Sequence, residues 1–202
     1  METTAGIVLC GGKSSRMGQA KEWLDFGGEP LLQRVVRLVG DALGAVVVAA
    51  RKGQRLPPLP QFATVVHDEA VDVGPLAGIS AALSAVAVTA DAAFVTSCDT
   101  PFLKGAFITR LVDLLGDARA VVPVHAKHWH PLVAVYRTDT RTLLRAAIES
   151  GERRVRAFAE ACGPRLVGAD AFVDVDPAME SLRNVNTPEA FAAALETLRD
   201  KR

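Results

Sequence analysis

Positions 6–21 read GIVLCGGKSSRMGQAK. An apolar run ends in two glycines, Gly11 and Gly12, and three cations follow: Lys13, Arg16 and Lys21. Glycines let backbone N–H groups come close to anionic oxygens. A guanidinium grips phosphate through two parallel hydrogen bonds, and an ammonium acts as a point charge. The stretch therefore suits a polyphosphate, with fixed cations offsetting the charge that grows on a departing pyrophosphate oxygen. Its acidic counterpart is Asp99, directly after the apolar run AAFVTSC at 92–98. A triphosphate calls for Mg2+, a hard cation that takes carboxylate oxygens. A lone Asp before a helix is first a cap, here for a helix starting near Leu103. An exposed carboxylate facing a basic glycine loop is better explained by metal.

Further polar residues recur after apolar runs. Asp68, with Asp72 close behind, follows ATVVH at 63–67 and suits either a base or ribose contact or an Asx turn. Asn184 and Asn186 in NVNTPEA are neutral oxygen ligands or turn formers. HAKHWH at 125–130 invites zinc, but its spacing is not a pair of pairs and no Cys is near. The reading preferred here is a turn at His130-Pro131 beside a substrate cleft. Cys10 and Cys98 read as small buried hydrophobes, and Met17 and Trp23 as packing under the loop.

Three glycine-rich phosphate loops compete for residues 6–21. The GxxxxGK[ST] loop fails because its first glycine falls on Ile7. The GxGxxG dinucleotide fingerprint fails because the glycine after Gly12 is Gly18, which disfavours a NAD-dependent oxidoreductase. The third is the loop of enzymes that activate a phosphorylated molecule with an NTP: a strand, GG, a small run, Arg-Met-Gly, then Lys. The plain alternative is a solvated strand-to-helix loop.

The elements that must position these residues alternate along the chain. AGIVLC (5–10), AVVVAA (45–50), ATVVH (63–67), AAFVTSC (92–98) and RAVVPV (119–124) read as buried strands. They are continuously apolar, which favours a parallel sheet covered on both faces. Helices are expected from Pro30, over 75–87 and 104–115, and over TDTRTLLRAAIES; a last one is capped by Thr187 with Pro188 at its first position. Residues 125–136 read as a turn and a strand. The expected fold is α/β, a doubly wound, mostly parallel sheet with helices on both faces, in a single domain over 1–202. Ligands of such sheets bind beyond the carboxyl ends of the strands, where the Gly11 loop and CDTP both lie.

Composition narrows the class. The 202 residues carry 23 Lys plus Arg against 23 Asp plus Glu, so nothing favours nucleic acid or a membrane surface as partner. No apolar run reaches the roughly 18 residues a bilayer needs. METTAGIVLC has no basic region before its apolar stretch, and the three cysteines are scattered, so a reducing, cytoplasmic setting is expected.

Taken in order, GIVLCGGKSSRMGQAK, GGEPLLQRV, HDEAVDVGPLAG, SCDTPFL, HPLVAVYR, SGERRV and NVNTPEA resemble the molybdenum cofactor guanylyltransferase family, within the NTP-transferase-like Rossmann domains. The first motif marks only the superfamily; GPLAG, CDTP, SGERRV and NVNTPEA in this order are more specific. The resemblance implies transfer of GMP from GTP to molybdenum-molybdopterin, giving the guanine dinucleotide cofactor and pyrophosphate. It implies GTP contacts at Leu9, Cys10, Gly11, Gly12, Lys21 and Asp68, with Asp99 serving both nucleotide and Mg2+. It places Asn184 and Asn186 near the metal and reacting phosphates, and His130, Arg153 and Arg154 toward the pterin. Lys13, Arg16, Lys21 and Asp99 would carry catalysis. Molybdopterin-delivering proteins and molybdoenzymes would be partners. The chain departs from the family at Ala49, where an Asn is usual, and at Cys10, where Ala is. Three readings stay open beside it: a CTP-using relative, an enzyme using an NTP on a sugar phosphate, and a non-catalytic nucleotide-binding module.

Overall fold

The computed structural model describes residues 2–11, 20–68 and 74–200. Gly12, Lys13, Arg16, Met17 and Asp72 lie outside the described residues. Eight strands form one sheet: β1 (Thr4–Leu9), β2 (Val46–Arg51), β3 (Ala63–Asp68), β4 (Ala92–Ser97), β5 (Ala120–His125), β6 (His128–Trp129), β7 (Ala134–Arg137) and β8 (Arg165–Val167). The order is β3-β2-β1-β4-β7-β5-β6, with β8 on β5. Strands β3, β2, β1 and β4 are parallel, and β7 runs antiparallel between β4 and β5. The mostly parallel α/β sheet expected from the sequence is thus present, with one reversed strand inserted.

Successive residues of the central strands enter opposite cores, as the pleat requires. Ala5, Ile7 and Leu9 pack under α2 (Pro75–Val86), α4 (Arg141–Glu149) and α5 (Val155–Ala161). Val8 and Cys10 pack under α1 (Leu31–Leu43) and α3 (Gly105–Asp113). Both faces are covered, which is why these strands are continuously apolar. Gly6 lets α1 sit directly on β1, since a Cβ there would collide with Val39 Cγ1.

β3 departs from the buried strand expected. It is the sheet edge, bonded to β2 alone among the described strands, and Val65 is 40 % exposed. The expected helices begin close to where their signals fall. Pro75 opens α2 after Gly74, and Thr187 Oγ1 accepts the Ala190 N–H at 3.2 Å to cap α6 (Pro188–Asp200). Helix α5 and strand β8 carried no recognised signal. A third, smaller cluster joins α6 to the start of α1 through Leu24, Phe26, Leu31, Phe102, Val185 and Ala194.

Candidate functional site

The carboxyl ends of β1 and β4 open into a cleft of about 430 Å3. Of the sequence-derived candidates, Leu9, Cys10, Gly11, Lys21, Asp99, His130, Asn184 and Asn186 line it. Asp99 is held by the turn that ends β4. Thr100 Oγ1 donates to the Ser97 carbonyl at 2.9 Å and accepts from Thr96 Oγ1 at 2.9 Å. Ser97 Oγ donates to Asp99 Oδ1 at 2.5 Å. Helix α3 starts at Gly105 with Lys104 as its cap residue, so Asp99 is not spent on a helix end.

Lys21 stands on a short 3-10 turn, Lys21–Trp23. Its ammonium donates to Asn186 Oδ1 at 2.6 Å and Asp99 Oδ2 at 3.3 Å, with side chains 18 % and 14 % exposed for Lys21 and Asp99. The Asn186 loop is brought there by the Val185 N–H, which donates to the Asp99 carbonyl at 2.9 Å. Further back, Lys104 pairs with the fully buried Asp176 at 2.7 Å, and the Ser181 N–H donates to the same carboxylate at 2.8 Å. Burial alone would raise the Asp176 carboxyl, but the Lys104 ammonium and Ser181 outweigh it and leave it below the usual range.

The donor set fits Mg2+. The Asp99 carboxylate and the side-chain oxygens of Asn184 and Asn186 are hard donors, and a single carboxylate leaves coordination positions for phosphate. Cys10 offers no soft competitor: the hydrogen bond with the Cys98 thiol, then burial, push it far above its ordinary value, so it stays a neutral thiol. Among the described residues no three of His, Cys, Asp and Glu are grouped so as to hold a metal ion. Instead His125 and His128 pair across a β5–β6 hairpin turned by Ala126 and Lys127, which both have positive φ. His130 follows in the cleft wall, its N–H donating to the Pro123 carbonyl at 2.9 Å. Burial lowers its pKa, helped by His125 and His128, so the ring is neutral at neutral pH.

Three candidates stand outside the lining. Asp68 ends β3 beside Gly11 and Gly78; its Oδ2 is 3.8 Å from where a Cβ on either would sit. Burial pushes its carboxyl up, partly opposed by Arg51 and His67. Arg153 and Arg154 belong to an exposed turn before α5. Arg154 bonds to Glu152 at 2.8 Å and holds that carboxyl down to about 2. Ala49 is buried in the sheet, its methyl against Gly78, and presents no polar group to a nucleotide. Sequence reading did not single out Ser97, Glu22 or Gln54. Ser97 was findable as the neighbour of CDTP, whereas a Glu after a Lys gives no signal of burial.

Gly11 and the Lys21 ammonium, meeting the Asp99 carboxylate at the strand ends of a mostly parallel sheet with helices on both faces, define an NTP-transferase class of α/β protein. Residues 6–165 match the family model of the MobA-like NTP transferase domain, and the chain belongs to that family. It is 34 % identical to the molybdenum cofactor guanylyltransferase of Rhodobacter capsulatus, over 96 % of each chain. It is 34 % identical to the probable molybdenum cofactor guanylyltransferase of Mycobacterium tuberculosis H37Rv, over 95 % of this chain and 93 % of that one. Its fold matches molybdopterin-guanine dinucleotide biosynthesis protein A from Archaeoglobus fulgidus with a TM-score of 0.79 at 23 % identity, covering 98 % and 100 %. It also matches 2-C-methyl-D-erythritol 4-phosphate cytidylyltransferase from Thermus thermophilus, with a TM-score of 0.72 at 19 % identity and the same coverage.

Proposed function

We propose that this nucleotidyltransferase moves GMP from GTP to molybdenum-molybdopterin, forming the guanine dinucleotide cofactor and releasing pyrophosphate. The observation that carries the reading is the Lys21 ammonium placed between Asp99 and Asn186 at the strand ends. The relatives named guanylyltransferases over nearly the whole chain support the choice of GTP and molybdopterin.

An oxygen of the acceptor's terminal phosphate attacks the α-phosphorus of GTP in line. The new O–P bond forms as the bond to the bridging oxygen breaks, and pyrophosphate departs with that electron pair. The nucleophile is already anionic, so no general base is needed. Lys21, with Lys13 and Arg16, neutralises charge on the leaving phosphates. Asp99, Asn184 and Asn186 would hold Mg2+, which when bound supplies charge neutralisation at the phosphoryl oxygens. Gly11 and Asp68 would face the nucleoside, and His130, Arg153 and Arg154 the pterin. The setting would be the cytoplasm, with molybdopterin-delivering proteins and molybdoenzymes at either end of the exchange.

Pyrophosphate release with each of the four NTPs, Mg2+ and molybdenum-molybdopterin tests this. GTP is expected to support release and CTP is not. Release with CTP instead, or none with GTP from folded protein, sinks the reading.

A further inference from the structure

The loop after β2 makes contacts that phosphate chemistry does not itself require. Gln54 Nε2 donates to the Cys10 carbonyl at 2.8 Å and to Glu22 Oε1 at 2.7 Å, while Gln54 Oε1 accepts the Arg51 N–H at 3.0 Å. Donors meet acceptors on both sides of the amide, so its partners fix its orientation. The Gln54 N–H donates to the Arg51 carbonyl at 3.0 Å and closes the turn that aims the side chain. A second tie runs alongside: Trp23 Nε1 donates to the Arg55 carbonyl at 3.1 Å. Glu22 is only 7 % exposed, a costly place for a carboxylate without a donor. Its chain neighbour Lys21 bonds Asp99 and Asn186 in the cleft.

We infer that Gln54 is a positioning residue. Through Glu22 it fastens the turn carrying Lys21 to the ends of β1 and β2, and so fixes where the Lys21 ammonium stands between Asp99 and Asn186. The inference rests on Lys21 acting at the polyphosphate, as proposed above. Among the described residues, the charged and titratable groups around this clasp include Glu22, Lys21 and Asp99, Arg51 and Arg55 of the loop, His67 and Asp68 on β3, and the Cys10 and Cys98 thiols.

Gln54→Glu tests it, because it sets a second carboxyl against Glu22. The contact then survives only while the two share a proton. The one shared proton leaves the Cys10 carbonyl without its donor at any pH, so turnover of Gln54→Glu is expected to stay below wild type throughout, highest at about pH 5.5 and falling further by about pH 8 as that proton leaves. The loss should be about ten- to hundredfold, the scale of a small misplacement at a reacting centre, and should fall mainly on kcat. The double variant Glu22→Gln/Gln54→Glu, again an amide facing a carboxylate, is expected to remove that pH step. A merely structural role would lower Tm and leave the shape of the pH profile alone. The 13Cε resonance of Lys21, followed in ligand-free Gln54→Glu, should titrate with the same midpoint. That readout needs no substrate, so inactive wild-type protein would count against the GTP reading and leave the clasp still tested. Should Gln54→Glu not fold, Gln54→Met keeps the length without the hydrogen bonds; a displaced Lys21 resonance with lowered kcat is expected there. Coincident pH profiles for Gln54→Glu and wild type, or a Lys21 resonance unmoved in the folded variant, overturn the inference.

Discussion

Lys21 meets Asn186 at 2.6 Å and Asp99 at 3.3 Å, whereas Arg154, assigned to the acceptor end, keeps 79 % of its side chain exposed and folds back on Glu152. The contrast extends outward. Behind Lys21 and Asp99 stand the Ser97–Thr100 turn, the Val185 bond and the Lys104–Asp176 pair. Behind His130 stand a two-residue strand, main-chain bonds at 2.9 Å from its N–H to the Pro123 carbonyl and from the Val133 N–H to its carbonyl, and Tyr136 Oη donating to the Pro131 carbonyl at 2.8 Å. Groups that must oppose developing charge gain from being held in place, since nothing then reorganises during reaction. Groups that recognise a large acceptor gain less from rigidity. On the roles proposed above, Lys21 and Asp99 belong to the first kind, and His130, Arg153 and Arg154 to the second.

The largest effects should fall on the wired end. Asp99→Asn keeps the main-chain bond from Val185 but removes the carboxylate. A loss of turnover of about 10²-fold or more is expected, the scale of losing one preorganised charge contact, with Tm little changed. Wild-type turnover in the folded variant would remove Asp99 from the chemistry. Lys21→Ala comes next. It deletes charge-assisted bonds of roughly 1.5–3 kcal/mol each, so GTP binding by calorimetry should weaken about tenfold or more. Unchanged affinity would detach Lys21 from the nucleotide.

This end was also the more legible in sequence. Strand ends, glycines and the CDTP carboxylate are local signals, and parallel pairing of β1 with β4 brings them together without fine adjustment. The burial of Glu22 could not be read, because its partner Gln54 lies 32 residues on and is placed by a turn whose geometry the sequence does not announce. Strand β7 explains the one topological surprise. HPLVAVYR reads as a strand, but nothing in its pattern says that it enters antiparallel between β4 and β5. Likewise β3 is apolar enough for a centre strand, yet an edge strand buries only part of what it carries.

Asp176 offers a sharper probe of the scaffold behind Asn184, of intermediate size. Its folded pKa lies below the unfolded value of about 3.9. The pair therefore contributes stability above that value and loses it as pH falls through the lower, folded one. Lys104 is about a third exposed, which limits the effect to roughly 1–2 kcal/mol. Thermal melts of Asp176→Asn should fall below wild type at neutral pH and converge with it in strong acid. A gap that stays constant into acid would assign the difference to packing rather than charge.

The smallest effect belongs to His130, at the open end. Its pKa is depressed by burial and by His125 and His128, so the folded cleft prefers a neutral ring. For a histidine this sign means that stability is full above the unfolded value of about 6.5 and declines as pH falls below it. His130→Gln keeps a polar side chain but cannot gain that charge. The variant should lose less stability than wild type on acidification, and its KM for the pterin substrate should rise only severalfold, with kcat nearly kept. A large fall in kcat would move His130 to the reacting phosphates and erase the division between the two ends. An unchanged KM would leave that division standing while taking His130 out of acceptor recognition, so the KM-against-kcat split decides whether the open end recognises the acceptor through this ring or through Arg153 and Arg154.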